Sequence, residues 1–222
     1  MIHHELVGSA RVPGHLAELR CFRHDGDFTI WIDGTELMSS RVHGSEEALA
    51  ELALQRLGPC QAPRVLVGGL GMGFTLARTL ALVDAEAVVD VVELVPEVVS
   101  WNRDLLGHRT RHPLRDPRTN LIVGDVVETI AAAKGRYDAM LLDVDNGPEG
   151  LSRPSNEHLY GDSGLVAARA ALRPGGVLAV WSSWANPPFT ARLRRGGFCV
   201  AEHTVRARRT KGPRRTIWVA TP

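Results

Sequence analysis

Three cysteines in 222 residues, Cys21, Cys60 and Cys199, are odd in number and far apart. They lack the paired spacing that a zinc site or a disulfide framework needs, and are expected as reduced thiols in a cytoplasmic protein. No apolar run approaches the length that spans a bilayer, and Met1-Ile2-His3-His4-Glu5 has no basic stretch leading into an apolar one. Neither a membrane span nor a secretion signal is therefore expected. A dominant charge is missing too: 26 Lys+Arg against 25 Asp+Glu leave a formal +1. Such a balance makes no field that would draw in nucleic acid or a membrane surface, so a partner of that kind needs a local patch. No internal repeat or low-complexity tract is visible.

What is present is ordinary globular material, 44% hydrophobic and 23% charged, enough for one sizeable core. Up to about Ser40 the chain reads as short antiparallel strands, Leu16 to Arg23 and Phe28 to Ile32, turning near Asp25-Gly26 and again at Asp33-Gly34 before Glu36-Leu37-Met38. Ser45-Glu46-Glu47 opens a helix with Leu49, Leu52, Ala53 and Leu57 at helical spacing, stopped by Gly58 and Pro63. The expected division is a small N-terminal sheet over residues 1–44 and a larger domain over residues 45–222. In the latter, strands Arg64 to Val67, Ala87 to Glu93, Asn120 to Val123, Tyr137 to Asp143 and Val177 to Trp181 alternate with helices starting near Phe74, Pro96, Val126, Ser163 and Pro188. That alternation predicts an α/β, Rossmann-like fold with a mostly parallel sheet covered on both faces. Phe198 to Val205 and Thr216 to Ala220, with no helix between them, add an antiparallel hairpin and bring the sheet to seven strands.

The chemistry concentrates at strand ends. Val65-Leu66-Val67-Gly68-Gly69-Leu70-Gly71-Met72-Gly73 reads as a strand breaking into a tight turn, and Phe74-Thr75-Leu76 begins the helix after it. A dinucleotide loop wants G-x-G-x-x-G, and its last glycine would fall on Phe74. The spacing Gly69-x-Gly71-x-Gly73 matches instead the S-adenosylmethionine (SAM) loop of class I methyltransferases. Glu93, at the tip of the next strand, can accept hydrogen bonds from two ribose hydroxyls, although an NAD site would use the same device. Asp125, after the third strand, can accept from an adenine amino group while Val126 packs on the ring, or can simply cap a helix. The fourth strand runs Tyr137-Asp138-Ala139-Met140-Leu141-Leu142 into Asp143, an acid at the edge where open α/β sheets bind ligands. An Asp there can orient, or take a proton from, an attacking amine or hydroxyl. Asp145-Asn146-Gly147-Pro148 is a turn sequence, so Asp145 is expected to be structural.

With these residues in place, the chain resembles the spermidine synthase family of polyamine aminopropyltransferases, a branch of the SAM-methyltransferase fold. The likeness rests on Asp33-Gly34, the glycine loop, Val91-Val92-Glu93-Leu94, Val123-Gly124-Asp125, Tyr137 to Asp143, Tyr160 and Arg173-Pro174-Gly175-Gly176-Val177-Leu178. It implies Glu93 on ribose, with Leu94 beside it, Asp125 on adenine, Asp143 on the nucleophilic amine, Tyr160 near the acceptor, and a homodimer. Several positions depart from the family. Its GGGDG acid, which holds the aminopropyl ammonium, falls on Met72; its Tyr-His-Glu falls on Ser45-Glu46-Glu47, its Gln after the Asp-Gly turn on Leu37 or Met38, and its second active-site Asp on Asn146. A neutral Met72 suits the carboxylate of SAM better than the free ammonium of decarboxylated SAM. Methyl transfer from SAM to a small acceptor is thus the expected function. Aminopropyl transfer from decarboxylated SAM is the alternative, and a non-catalytic nucleoside- or RNA-binding module or an NAD oxidoreductase stand further off.

Other signals carry less. Asn186-Pro187-Pro188-Phe189 looks like an amino-methyltransferase signature, but it follows the fifth strand where the signature follows the fourth, and reads as a helix start. Trp181 and Trp184 suit an apolar acceptor pocket or core packing equally. Arg206, Arg208, Arg209, Lys211, Arg214 and Arg215 crowd the last hairpin loop, with Arg192, Arg194 and Arg195 on the preceding helix, and no aromatic residue is interleaved with the loop residues as nucleic-acid binding would favour. His108 and His112 lie four apart, but between Gly107 and Pro113 and without a third ligand, so no metal site is expected.

Overall fold

The computed structural model describes residues 4–144, 147–148 and 156–222. The turn expected at Asp145-Asn146, and the family acid position at Asn146, lie outside the described residues. At the N-terminus, β1 (Glu5–Arg11), β2 (Glu18–His24), β3 (Asp27–Ile32) and β4 (Thr35–Ser39) form an antiparallel sheet in chain order. Both Asp-Gly turns place two successive residues at positive φ, Asp25 48° and Gly26 79°, then Asp33 46° and Gly34 82°. That is the twist a two-residue hairpin needs. The inner face, with Leu19, Cys21, Phe28, Ile30 and Ile32, packs on Met72, Val95, Val98, Trp101 and Leu106. β1 escapes the sequence reading because only Ala10 among its residues is buried, which leaves no alternation to see.

The remaining elements are α1 (Gly44–Leu57), β5 (Arg64–Gly68), α2 (Phe74–Leu82), β6 (Val88–Glu93), α3 (Pro96–Trp101), β7 (Thr119–Val123), α4 (Val126–Ala132), β8 (Tyr137–Leu142), α5 (Asn156–Tyr160), α6 (Asp162–Ala171), β9 (Leu172–Ser182), α7 (Pro187–Arg195), β10 (Cys199–Arg208) and β11 (Lys211–Thr221). Their sheet runs β10-β11-β9-β8-β5-β6-β7, parallel from β9 to β7 and antiparallel at β11 and β10. The central strands are apolar along their whole length because both faces are covered: one core lies under α4, α6 and α7, the other under α1 and α2. β5 is the strand from which the chain steps first to β6 and then, returning, to β8, so the crevice between its neighbours' carboxyl ends is the topological switch point.

Two boundaries differ from expectation. β9 begins at Leu172, five residues early, because Tyr137 pairs with Leu172 across a register shift. The basic residues of the last hairpin lie on the strands, not in a loop: β10 and β11 pair from Cys199↔Thr221 to Arg208↔Lys211, and only Arg209 and Thr210 turn. β11 pairs with β9 only from Thr216 to Ala220, so the rest overhangs the sheet as a two-stranded arm. Its tip docks on α1, where Arg209 binds Glu47 (2.6 Å) and Glu51 (2.8 Å). Gly44 permits the approach, since a Cβ there would lie 2.6 Å from the Arg209 amide nitrogen. No described helix is long and apolar enough to cross a membrane.

Candidate active site

The turn after β5 is shaped by backbone before any ligand arrives. Gly69, Gly71 and Gly73 have φ of 89°, 50° and 86°. A Cβ on Gly69 would stand 2.3 Å from the Asp143 carbonyl oxygen, so only glycine lets this turn nest against the end of β8. Asn102, which no motif singles out, donates Nδ2 to the carbonyls of Gly71 (2.8 Å) and Val98 (2.9 Å) and ties the turn to α3. Gly69 and Gly71 line the crevice, whereas Gly73 caps α2 from behind.

Two neighbouring strand ends supply carboxylates. Glu93 is buried at the tip of β6 and accepts from the N–H groups of Leu70 (3.0 Å), Gly71 (3.4 Å) and Val95 (2.9 Å). Burial pushes its pKa up, and these donors oppose the rise. It therefore braces the turn as well as lining the crevice, and its oxygens keep lone-pair capacity for a ligand hydroxyl. Leu94 lies beside it on the same wall. Asp125 caps α4, its Oδ1 accepting from Val127 N–H at 2.8 Å, and also faces the crevice with Gly124 and Val126. The opposite wall is apolar and comes from the N-terminal sheet: Val12, Ile30, Ile32, Leu37 and Met38. Met38 reaches over the turn, its sulfur 3.3 Å from where a Gly71 Cβ would be, and leaves a crevice of about 120 Å³.

Asp143 stands at the junction. Its N–H donates to Gly68 O (2.8 Å), and Thr75 of α2 donates its hydroxyl to Asp143 Oδ2 (2.6 Å). The side chain borders both the crevice and a smaller pocket of about 50 Å³ walled by Leu37, Met38, Met72, Phe74, Trp181 and Glu46. Glu46 is the residue the sequence reading passed over, counting its segment as family equipment lost. It projects from the first turn of α1, with Ser45 Oγ donating to its Oε2 at 2.6 Å. Burial pushes both carboxyls up; the Asp143 charge adds to the rise at Glu46, while the Thr75 hydroxyl opposes it at Asp143. Two such neighbours favour one shared proton. Arg215, half-buried and 5.7 Å over the Trp181 ring, offsets part of the Glu46 charge. Nothing local marks Glu46, which is an acid in a helix's first turn until the fold brings Asp143 to it.

The side chain of Tyr160, expected near the acceptor, is buried in the core edge-on to Phe189 at 5.6 Å, and its neighbour Leu159 lines the crevice. Adjacent residues of a helical turn project about 100° apart, so one of the pair faces inward. Trp181 borders the small pocket, whereas Trp184 is 52% exposed. Asn186 caps α7, accepting from Phe189 N–H at 2.9 Å. His108 packs its ring on Phe28 at 6.0 Å.

Fold and crevice together define a class: a Rossmann-like α/β protein with acids from successive strand tips around a glycine turn, and a further acid aimed into an adjoining pocket. The chain belongs to the spermine/spermidine synthase family, whose domain it matches over residues 43–189. It is 35% identical over 124 residues to putrescine N-methyltransferase 1 of Nicotiana tabacum, covering 55% of this chain and 31% of that protein. It is 30% identical over 119 residues to polyamine aminopropyltransferase 1 of Pseudomonas aeruginosa, covering 53% and 39%. The matched stretch thus spans about a third of the length of these relatives. The spermidine synthase of Thermotoga maritima shares the fold, with a TM-score of 0.76 at 19% identity over 97% of this chain and 72% of that one.

Proposed function

We propose that this chain transfers the methyl group of SAM to a small amine. The observation that carries the reading is Asp143 as the acid common to two cavities. The crevice offers what an adenosine needs, carboxylate acceptors at Glu93 and Asp125 and apolar faces at Val126 and Leu94. The small pocket offers what an amine needs, two half-buried carboxyls and the flat ring of Trp181. Held between them, the amine lone pair attacks the sulfonium-bound methyl in line. The N–C bond forms as the C–S bond breaks, S-adenosylhomocysteine departs, and the surplus ammonium proton passes to Asp143.

A second reading has an observation of its own. Glu46 shares the small pocket with Met72 and can meet the ammonium of decarboxylated SAM in place of the family's loop acid, which favours aminopropyl transfer to a diamine. Incubation of the protein with either donor and a panel of small mono- and diamines, read by product mass, separates the two. Methylated products from SAM support the first reading; aminopropylated products from decarboxylated SAM alone would replace it with the second.

A further inference from the structure

A large groove lies outside the crevice and the small pocket. It has a volume of about 990 Å³ and runs between α2 and residues 109–118, with Arg78, Arg109, Arg111, Arg115 and Arg118 on its walls. Most of this charge is answered locally: Arg78 pairs with Glu51, Arg109 with Asp27, and Arg118 with Asp116. Glu47, the other acid on the wall, is taken up by Arg209 from the arm outside. Arg111 and Arg115 line the groove with no acidic partner among the described residues. The backbone at Arg111 is also unusual, since Arg111 and His112 sit consecutively in the left-handed region at φ 60° and 55°. Two adjacent non-glycine residues hold that conformation only when their surroundings impose it. Here His112 N–H donates to Gly107 O at 2.6 Å and Arg115 N–H donates to His112 O at 2.9 Å, which fixes both arginines at the rim.

We propose that this groove is a second binding site, for a small, multiply charged phosphate anion. Guanidinium forks match phosphate oxygens two at a time, and two unanswered forks on one concave wall leave a field that a single oligophosphate neutralises. The volume falls at the upper end of small-ligand sites, which suits a chain of linked phosphates rather than one carboxylate. Phe74, stacked on His43 at 4.0 Å, lines the groove and is also a wall of the small active-site pocket.

Titration calorimetry of the full chain with sodium tripolyphosphate at low ionic strength tests this. Saturable one-site binding is expected, weakening with added salt and at least tenfold weaker in the double variant Arg111→Ala/Arg115→Ala. Both side chains are exposed, so the variant should keep its circular dichroism and its affinity for S-adenosylhomocysteine. An absence of saturable binding, equal affinity in the variant, or citrate binding as tightly as tripolyphosphate would each overturn the proposal.

Discussion

Asp143 concentrates most of the chemistry proposed at the level of single residues. Replacing it with Asn keeps its shape and removes the proton acceptor. Turnover should then fall by about 10²–10⁴, while calorimetry shows the affinity for S-adenosylhomocysteine within a few-fold of wild type. Equal losses in both would make the residue structural. Thr75 tests the same site from behind, because its hydroxyl favours the ionised carboxylate. In Thr75→Val the acid limb of the kcat–pH profile, which reports Asp143 becoming ionised, should move to higher pH. The motif residues at strand ends were legible because each follows an unmistakable apolar run. Glu46, Thr75 and Asn102 were not, since what they do depends on partners 97, 68 and 31 positions away.

Among the elements, the parallel strands and their helices could be read from periodicity, and the two Asp-Gly turns from their chemistry. The inner half of the β10–β11 hairpin could be read too, but not its overhanging arm, which buries little beyond Ala207 and offers no alternation of apolar residues. Its extended form is imposed from outside, by Arg209 landing on α1. The N-terminal sheet has a more active part. With Met38 laid over Gly71, the crevice is smaller than the 300 Å³ or so at which small-ligand sites begin. Leu37 and Met38 would therefore have to yield for the proposed nucleoside to enter. Met38→Ala should speed association of S-adenosylhomocysteine several-fold in stopped-flow fluorescence; an unchanged rate would show that the strand is no barrier.

For the whole molecule, the two carboxyls in the small pocket tie stability to pH. Both have native pKa values raised above their unfolded ones, so the native state binds more protons than the unfolded state, and stability falls as pH rises. The window opens near 3.8, the ordinary value of Asp; Asp143 stops contributing at about 6, and the window closes at about 8, the value to which Glu46 is pushed. Within it the loss per site approaches ~1.4 kcal/mol per pH unit. Urea denaturation across this range should show the decline in wild type and a flatter profile in Glu46→Gln. The position of Asp143 between the two cavities has one more outcome. A sulfonium placed beside it is a cation and favours its ionised form, whereas the thioether left after transfer is neutral. Loading the donor should accordingly expel a proton to the medium and loading the spent nucleoside should not. Calorimetry in buffers of differing ionisation enthalpy would register the difference, and the enzyme would reset its base each cycle by the arrival of the next donor.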